Sequence, residues 1–205
     1  MSECLIRVAR KEDLSVLTEL HYNNFHSNEL SIILGKKFIK RFYEECLNDR
    51  NVVINVVECD AKVVAYAVMF FKYGEFEKRF KYKSAFAVIG LVLRFEFQLI
   101  KKIIKILKSK NIKNIIPDPV YDFHAGATLL DKDSRDNPVA IRYYLKLLEE
   151  NFQTLDNNGK SGFWGSTRES NKGPMHFSKK WGLKPVLGKA YPENIVYLIK
   201  YSKSQ

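Results

Sequence analysis

The 205-residue sequence is short of acid, with 23 Asp and Glu against 34 Lys and Arg and a formal net charge of +11. Cysteine is scarce too: Cys4, Cys46 and Cys59 are odd in number, form no Cys-x-x-Cys pair and have no histidine at metal-ligand spacing. That argues against a disulfide-stapled secreted scaffold and predicts reduced, buried thiols. No His, Cys, Asp and Glu set has metal-site spacing, so no metal is expected. The most apolar stretch, Ala85 to Leu93, is far short of the ~20 residues that span a bilayer. The opening run MSECLIRVARKEDL lacks the apolar core of a signal peptide, and a cytoplasmic protein is expected. Internal repeats and low-complexity linkers are absent as well. What remains is an ordinary globular composition, 46% apolar and 28% charged, read as one domain over 1–205.

The positive charge is localised. Between Lys72 and Lys113 there are twelve basic side chains against three acidic ones, a surplus of nine, so the rest of the chain is nearly neutral. Residues 72–122 are read as a basic insertion within the domain.

Periodicity outlines the rest. Leu5–Ala9 reads as a first strand, and Lys11-Glu12-Asp13 puts acid at the positive end of a helix over 11–25. A second amphipathic helix follows over 34–47. The β-branched runs Val52–Glu58 and Lys62–Phe71 flank Cys59-Asp60-Ala61 and predict an antiparallel hairpin. A strand over 123–131 precedes Asn137-Pro138, an N-cap with proline at the first helical position. That helix runs to about Asn151. A strand over 162–167, a short helix over 173–181 and a hairpin over 183–201 close the chain. The order predicts an α/β (α+β) fold, one mixed central sheet flanked by helices.

Two stretches carry a resemblance. Ile6-Arg7-Val8-Ala9-Arg10-Lys11-Glu12-Asp13-Leu14 and Asn171-Lys172-Gly173-Pro174-Met175-His176-Phe177-Ser178-Lys179-Lys180-Trp181-Gly182-Leu183 bracket the domain. The second is similar to the Asn-x-x-Ala-x-x-Leu-Tyr-x-x-x-Gly-Phe pattern of the GCN5-related N-acetyltransferases, with Asn171, Phe177 and Gly182 in register. With the element order, the chain resembles that family, in the subset with a basic helical insertion after the third strand. The resemblance implies an acyl-CoA-dependent N-acyltransferase, with acetyl-CoA as the acyl donor, that transfers directly to an amine of a small molecule or peptide.

It also implies where the cofactor sits. Backbone groups of Leu129, Leu130 and Asp131 would hold the pantetheine, with Asn171 contributing from beyond the next strand. The family's Gln/Arg-x-x-Gly-x-Gly/Ala loop aligns with Arg135, Asp136, Asn137, Pro138, Val139 and Ala140. Exposed N–H groups and the helix dipole there would receive the pyrophosphate. Pro138 stands where the family has glycine, and the alternative reading makes Asn137-Pro138 a purely structural cap.

Acyl transfer to an amine needs a base for the ammonium proton and an acid for the departing thiolate. His124 aligns with the family's base position, although it could equally be a polar residue at a strand edge. Period-2 alternation puts His124, Gly126, Thr128 and Leu130 on one face. Ser178 stands where the family often has an acidic tyrosine, which leaves His176, Tyr144, Tyr191 or water to supply the proton. A binding module with impaired catalysis is therefore a second reading.

The basic run from Arg94 to Lys110 has an apolar stripe of Leu99, Ile100, Ile103, Ile104 and Leu107 at helical spacing. Three roles are open for it: a solvated helix face, an interfacial helix on an anionic membrane, or a lid that attracts an acidic or phosphorylated acceptor. Nucleic acid is the alternative from another class: no RNP-, KH- or zinc-finger-like spacing occurs, but Phe80, Tyr82 and Phe86 lie among the lysines and keep it open.

Overall fold

The β-branched runs assemble into one sheet. In the computed structural model, which describes residues 3–27, 29–93, 115–188 and 194–202, seven strands form it. They are β1 (Cys4–Val8), β2 (Val52–Cys59), β3 (Lys62–Phe70), β4 (His124–Leu130), β5 (Gly162–Arg168), β6 (Lys184–Gly188) and β7 (Ile195–Tyr201), in the order β1-β2-β3-β4-β5-β7-β6. Every pair is antiparallel except β4–β5. Asp60 and Ala61 both have positive φ, at 49° and 62°, the twist a two-residue hairpin turn requires between β2 and β3. All of β3 after Lys62 is buried, as a strand covered on both faces must be.

Helices supply the two covers. On one face α1 (Leu14–Asn24) and α3 (Lys36–Leu47) bury Leu17, Leu20, Ile39 and Tyr43 against Ile54, Val56, Tyr66 and Val68. On the other, α6 (Pro138–Asn158) sets Ala140, Leu147 and Leu148 against Val57, Ala65 and Ala67. The predicted helix over 34–47 starts at Lys36 instead, because Gly35 at φ 86° parts it from the short α2 (Leu30–Leu34). The first helix begins at Leu14, where the Asp13 carboxylate accepts the Arg10 N–H at 2.7 Å and pairs with Arg7 at 2.7 Å. A mixed sheet flanked by helices is what the sequence reading expected.

Within residues 72–122, α4 (Tyr73–Leu93) and the single turn α5 (Asp118–Tyr121) are described, while the predicted amphipathic helix over 94–110 lies outside the described residues. The α4 helix leans on α3 through edge-to-face contacts of Phe80 with Phe38 and Phe42. Arg79 pairs with Asp49 and Lys83 with Glu45, both on the α3 side, while Lys72 and Lys81 pair with Glu75 and Glu77. The early part of the basic segment is thus matched by acid from its own fold.

One expectation is overturned. Cys4 and Cys59 are joined in a disulfide, and only Cys46, a buried residue of α3, is a free cysteine among the described residues. The two occupy paired positions of adjacent antiparallel strands, so their side chains share a face, a register invisible to residue spacing. Closing a loop of this length constrains the unfolded chain by about 4 kcal/mol. Thiol titration in denaturant without reductant should find about one thiol per chain and all three after reduction; three without reduction would contradict the pairing.

Candidate functional site

The parallel pair β4–β5 is in register only at His124↔Trp164 and Ala125↔Gly165. Beyond it the strands part, so the backbone edge of β4 from Gly126 onward has no strand partner on that side. The opening between them is part of a cavity of about 590 Å³. Its walls come from β4 between Gly126 and Leu130, the end of β5 between Ser166 and Arg168, and the segment after α1.

A bulge shapes the β4 wall. Ala67 pairs with Thr128 and Met69 with Ala125, so two residues, Gly126 and Ala127, stand opposite Val68. The extra residue switches the faces. His124, opposite Phe70, shares a face with Leu129, opposite Tyr66, whereas Thr128 and Leu130 oppose Ala67 and Ala65 on the other face. The expected grouping of His124 with Thr128 and Leu130 is therefore corrected, because strict alternation ends at a bulge. Glycine is needed at 126, where a Cβ would come within 2.6 Å of the Phe70 ring.

His124 lies at the root of the opening, within an aromatic stack. Its ring lies on Trp164 at a centroid distance of 3.8 Å and meets Tyr73 at 4.4 Å. Nδ1 is buried without a hydrogen-bond partner, and burial pushes the imidazole down to about 3. A ring so reluctant to take a proton is a weak base at neutral pH.

Tyr144 reaches the cavity from α6, its hydroxyl 3.5 Å from Thr128 Oγ1. Burial raises its pKa, while the Thr128 hydrogen bond and the charge of Arg135 pull it down. Ser178 is elsewhere: in α7 (Lys172–Lys180) it is buried, with its hydroxyl donating to the Met175 carbonyl at 2.9 Å. The structure does not bring it to the cavity. His176 is exposed on the same helix, and Tyr191 lies outside the described residues.

The residues assigned to the cofactor divide in the same way. Leu129, Leu130, Arg135 and Asn171 line the cavity. Asp131 is instead buried at its margin, accepting from Asn24 Nδ2 at 3.2 Å, and its N–H is spent on the Val64 carbonyl. Asp136 is exposed, and Val139 and Ala140 pack toward the α6 core. Asn137 caps the helix as expected, but its Oδ1 accepts from the N–H groups of Val139 at 3.0 Å and Ala140 at 3.2 Å. Those are donors the phosphate reading needs, so here the cap itself occupies them.

Residue spacing missed the opposite wall. Asn24 accepts the Lys132 N–H at 2.9 Å at the end of β4, and Glu29 pairs with Arg168 at 2.7 Å at the end of β5. The end of α1 and the stretch after it are thereby tied to both sides of the opening. Glu29 and Arg168 are far apart in sequence and belong to no periodic pattern; only the fold joins them.

No family model and no curated protein sequence matches this chain. Solved structures do match in fold. The ribosomal-protein-S18-alanine N-acetyltransferase of Escherichia coli is 12% identical with a TM-score of 0.55, over 99% of this chain and 97% of that one. A putative acetyltransferase of Salmonella typhimurium, solved with acetyl-CoA, is 11% identical with a TM-score of 0.58, over 99% and 96%. An acetyltransferase of the GNAT family from Streptococcus pneumoniae is 13% identical with a TM-score of 0.54, over 98% and 100%. The fold is that of the GCN5-related N-acetyltransferases.

Proposed function

We propose that the protein is an acyl-CoA-dependent N-acyltransferase, with acetyl as the transferred group and an amine as acceptor. The observation that carries this reading is the parting of β4 from β5, which leaves a strand edge and a cavity of about 590 Å³ in a fold shared with acetyltransferases. A pantetheine arm can lie along such an edge and take the place of a missing strand. Leu129, Leu130 and Asn171 would flank it, with Arg135 toward the phosphates. Acetyl-CoA supplies an activated thioester carbonyl that a neutral amine attacks directly.

The chain's own groups then have to manage two protons. The amine nitrogen must lose one before it can attack, and water reaching the open side of the cavity can take it. The leaving thiolate must gain one, and its donor is restored by the second proton that the nitrogen sheds as the amide forms. The Tyr144 hydroxyl lies on the cavity wall beside Thr128 and Arg135 and fits that task, in place of the family's tyrosine, whose position Ser178 holds. His124 is left to shape the root of the opening. Mixing the protein with acetyl-CoA and a panel of amines should release CoA thiol faster than buffer for at least one amine. No release with any of them would overturn the enzymatic reading.

A second reading, a module that retains CoA without turnover, is favoured by the Asn137 cap and the burial of Ser178. The cap makes a prediction of its own. Asn137→Gly keeps a tolerable N-cap at a cost of a few tenths of a kcal/mol while freeing the Val139 and Ala140 donors. Acetyl-CoA should bind the variant about fivefold more tightly, read by calorimetry; unchanged or weaker binding would contradict the competition. Contact of segment 94–110 with anionic membranes is proposed as a separate property, and equal sedimentation with anionic and neutral liposomes would contradict it.

A further inference from the structure

The reaction as proposed gives His124 no chemical task, yet its ring lines the cavity. Phe70, Tyr73 and Trp164 enclose it at centroid distances of 5.6, 4.4 and 3.8 Å. Of these three only Tyr73 titrates, and burial raises its pKa, so the enclosure is uncharged at neutral pH. The two ring nitrogens of His124 fare differently. Nδ1 is sealed without a hydrogen-bond partner. Nε2 is not sealed and has no partner among the described residues, so it is the polar atom that the ring presents to the cavity.

A neutral imidazole carries one N–H, and its position decides what the ring can do. On Nδ1 that hydrogen would be a buried donor with nothing to receive it, the rarer and costlier kind of orphan. On Nε2 it faces the cavity and whatever fills it. The enclosure therefore selects the Nε2–H tautomer and makes the ring a hydrogen-bond donor toward the opening. Position along β4 indicates what that donor meets. Arg135, where the phosphates are expected, follows the far end of the strand. A pantetheine arm on the strand edge runs back from there past Leu130 and Leu129, so its thioester end falls toward Gly126 and the root.

We infer that His124 stabilises the reacting thioester by donating a hydrogen bond from Nε2 to its carbonyl oxygen. This rests on the acyltransferase reading and adds a residue to that site. As the amine nitrogen bonds to the carbonyl carbon, the oxygen gains negative charge, which it gives back when the carbon–sulfur bond breaks. The imidazole proton stays on Nε2 throughout. A donor already fixed in an aromatic enclosure needs no reorganisation when that charge develops. The low pKa, about 3, keeps the ring neutral throughout, which suits a donor and defeats a base.

Two measurements on the full-length protein test the assignment. Nitrogen-15 NMR of the labelled wild type, without cofactor, should show His124 as the Nε2–H tautomer from pH 6 to 8. The opposite tautomer, or a charged ring at pH 6, would overturn the inference. Infrared difference spectra with carbonyl-labelled acetyl-CoA then read the bond itself. The bound thioester band should lie at lower wavenumber in the wild type than in His124→Phe, which keeps an aromatic ring and removes the donor. His124→Gln, whose amide nitrogen can stand in for Nε2, should keep most of that shift. With an accepted amine, His124→Phe should lower kcat at least about tenfold and leave the KM for acetyl-CoA little changed. Identical bands in wild type and His124→Phe, with acetyl-CoA bound to both, would overturn the inference and leave the acyltransferase reading standing. Failure of that reading shows separately, as absence of bound acetyl-CoA in the wild type.

Discussion

Replacing Tyr144 with phenylalanine is expected to lower kcat about 100-fold, the lower end of what a positioned general acid contributes. The KM for acetyl-CoA should change little, because the ring and its packing on α6 are kept. The hydroxyl is the proposed proton source in the cavity wall, held 3.5 Å from Thr128 Oγ1 with Arg135 nearby. Burial raises its pKa, which keeps the proton on the oxygen at neutral pH, while the Thr128 hydrogen bond and the Arg135 charge pull it back toward the range in which a leaving thiolate can take the proton. Ser178→Ala should leave kcat unchanged, since its hydroxyl is committed to the Met175 carbonyl inside α7. Steady-state kinetics of the two variants side by side would decide the matter. Equal losses in both would contradict Tyr144 as the acid.

The second large effect is on stability in acid. Two histidines are buried as neutral rings: burial pushes His21 down to about 4 and His124 to about 3, from an ordinary value of 6.5. His21 is held between the Tyr43 hydroxyl at 2.8 Å on Nδ1 and the Ser31 hydroxyl at 2.9 Å on Nε2. Both folded values are depressed, so their contribution is complete above the unfolded value near 6.5. As the pH falls below that, the unfolded chain binds protons that the folded chain refuses. The loss continues down to about 4 for His21 and about 3 for His124. Each ring costs about 1.4 kcal/mol per pH unit in that window. Urea unfolding at pH 7, 6 and 5 should show stability falling with a slope near two protons. His124→Phe keeps the aromatic stack and removes the unpartnered Nδ1, so it should take one proton from the slope. A flat profile from pH 6.5 to 5 would contradict the burial of both rings.

These two expectations drew differently on the sequence. The strands, their order and the helices on both faces follow from local patterns, because β-branched runs and apolar periodicity express the burial that each element achieves. The Asn137-Pro138 helix start was legible for the same reason, since a cap is a local event. Its consequence was not: which donors the Asn137 side chain takes depends on a rotamer. The β4 bulge was hidden because Gly126 and Ala127 are ordinary strand neighbours, and only pairing with β3 shows two residues facing one. Ser178 stands seven residues on from Asn171, as the family's tyrosine does, but helical phase turns it inward. The Cys4–Cys59 bond and the Glu29–Arg168 pair join residues far apart in sequence, where spacing carries no information. Local chemistry thus outlined the scaffold, while the cavity wall is a product of register and long-range pairing.

The central claim is that the space between β4 and β5 receives an acyl-CoA. Calorimetric titration of acetyl-CoA into the full-length protein tests it most directly. The account predicts a single saturable site with a Kd below about 1 mM. No heat of binding at millimolar acetyl-CoA, in the wild type and in Asn137→Gly alike, would contradict it.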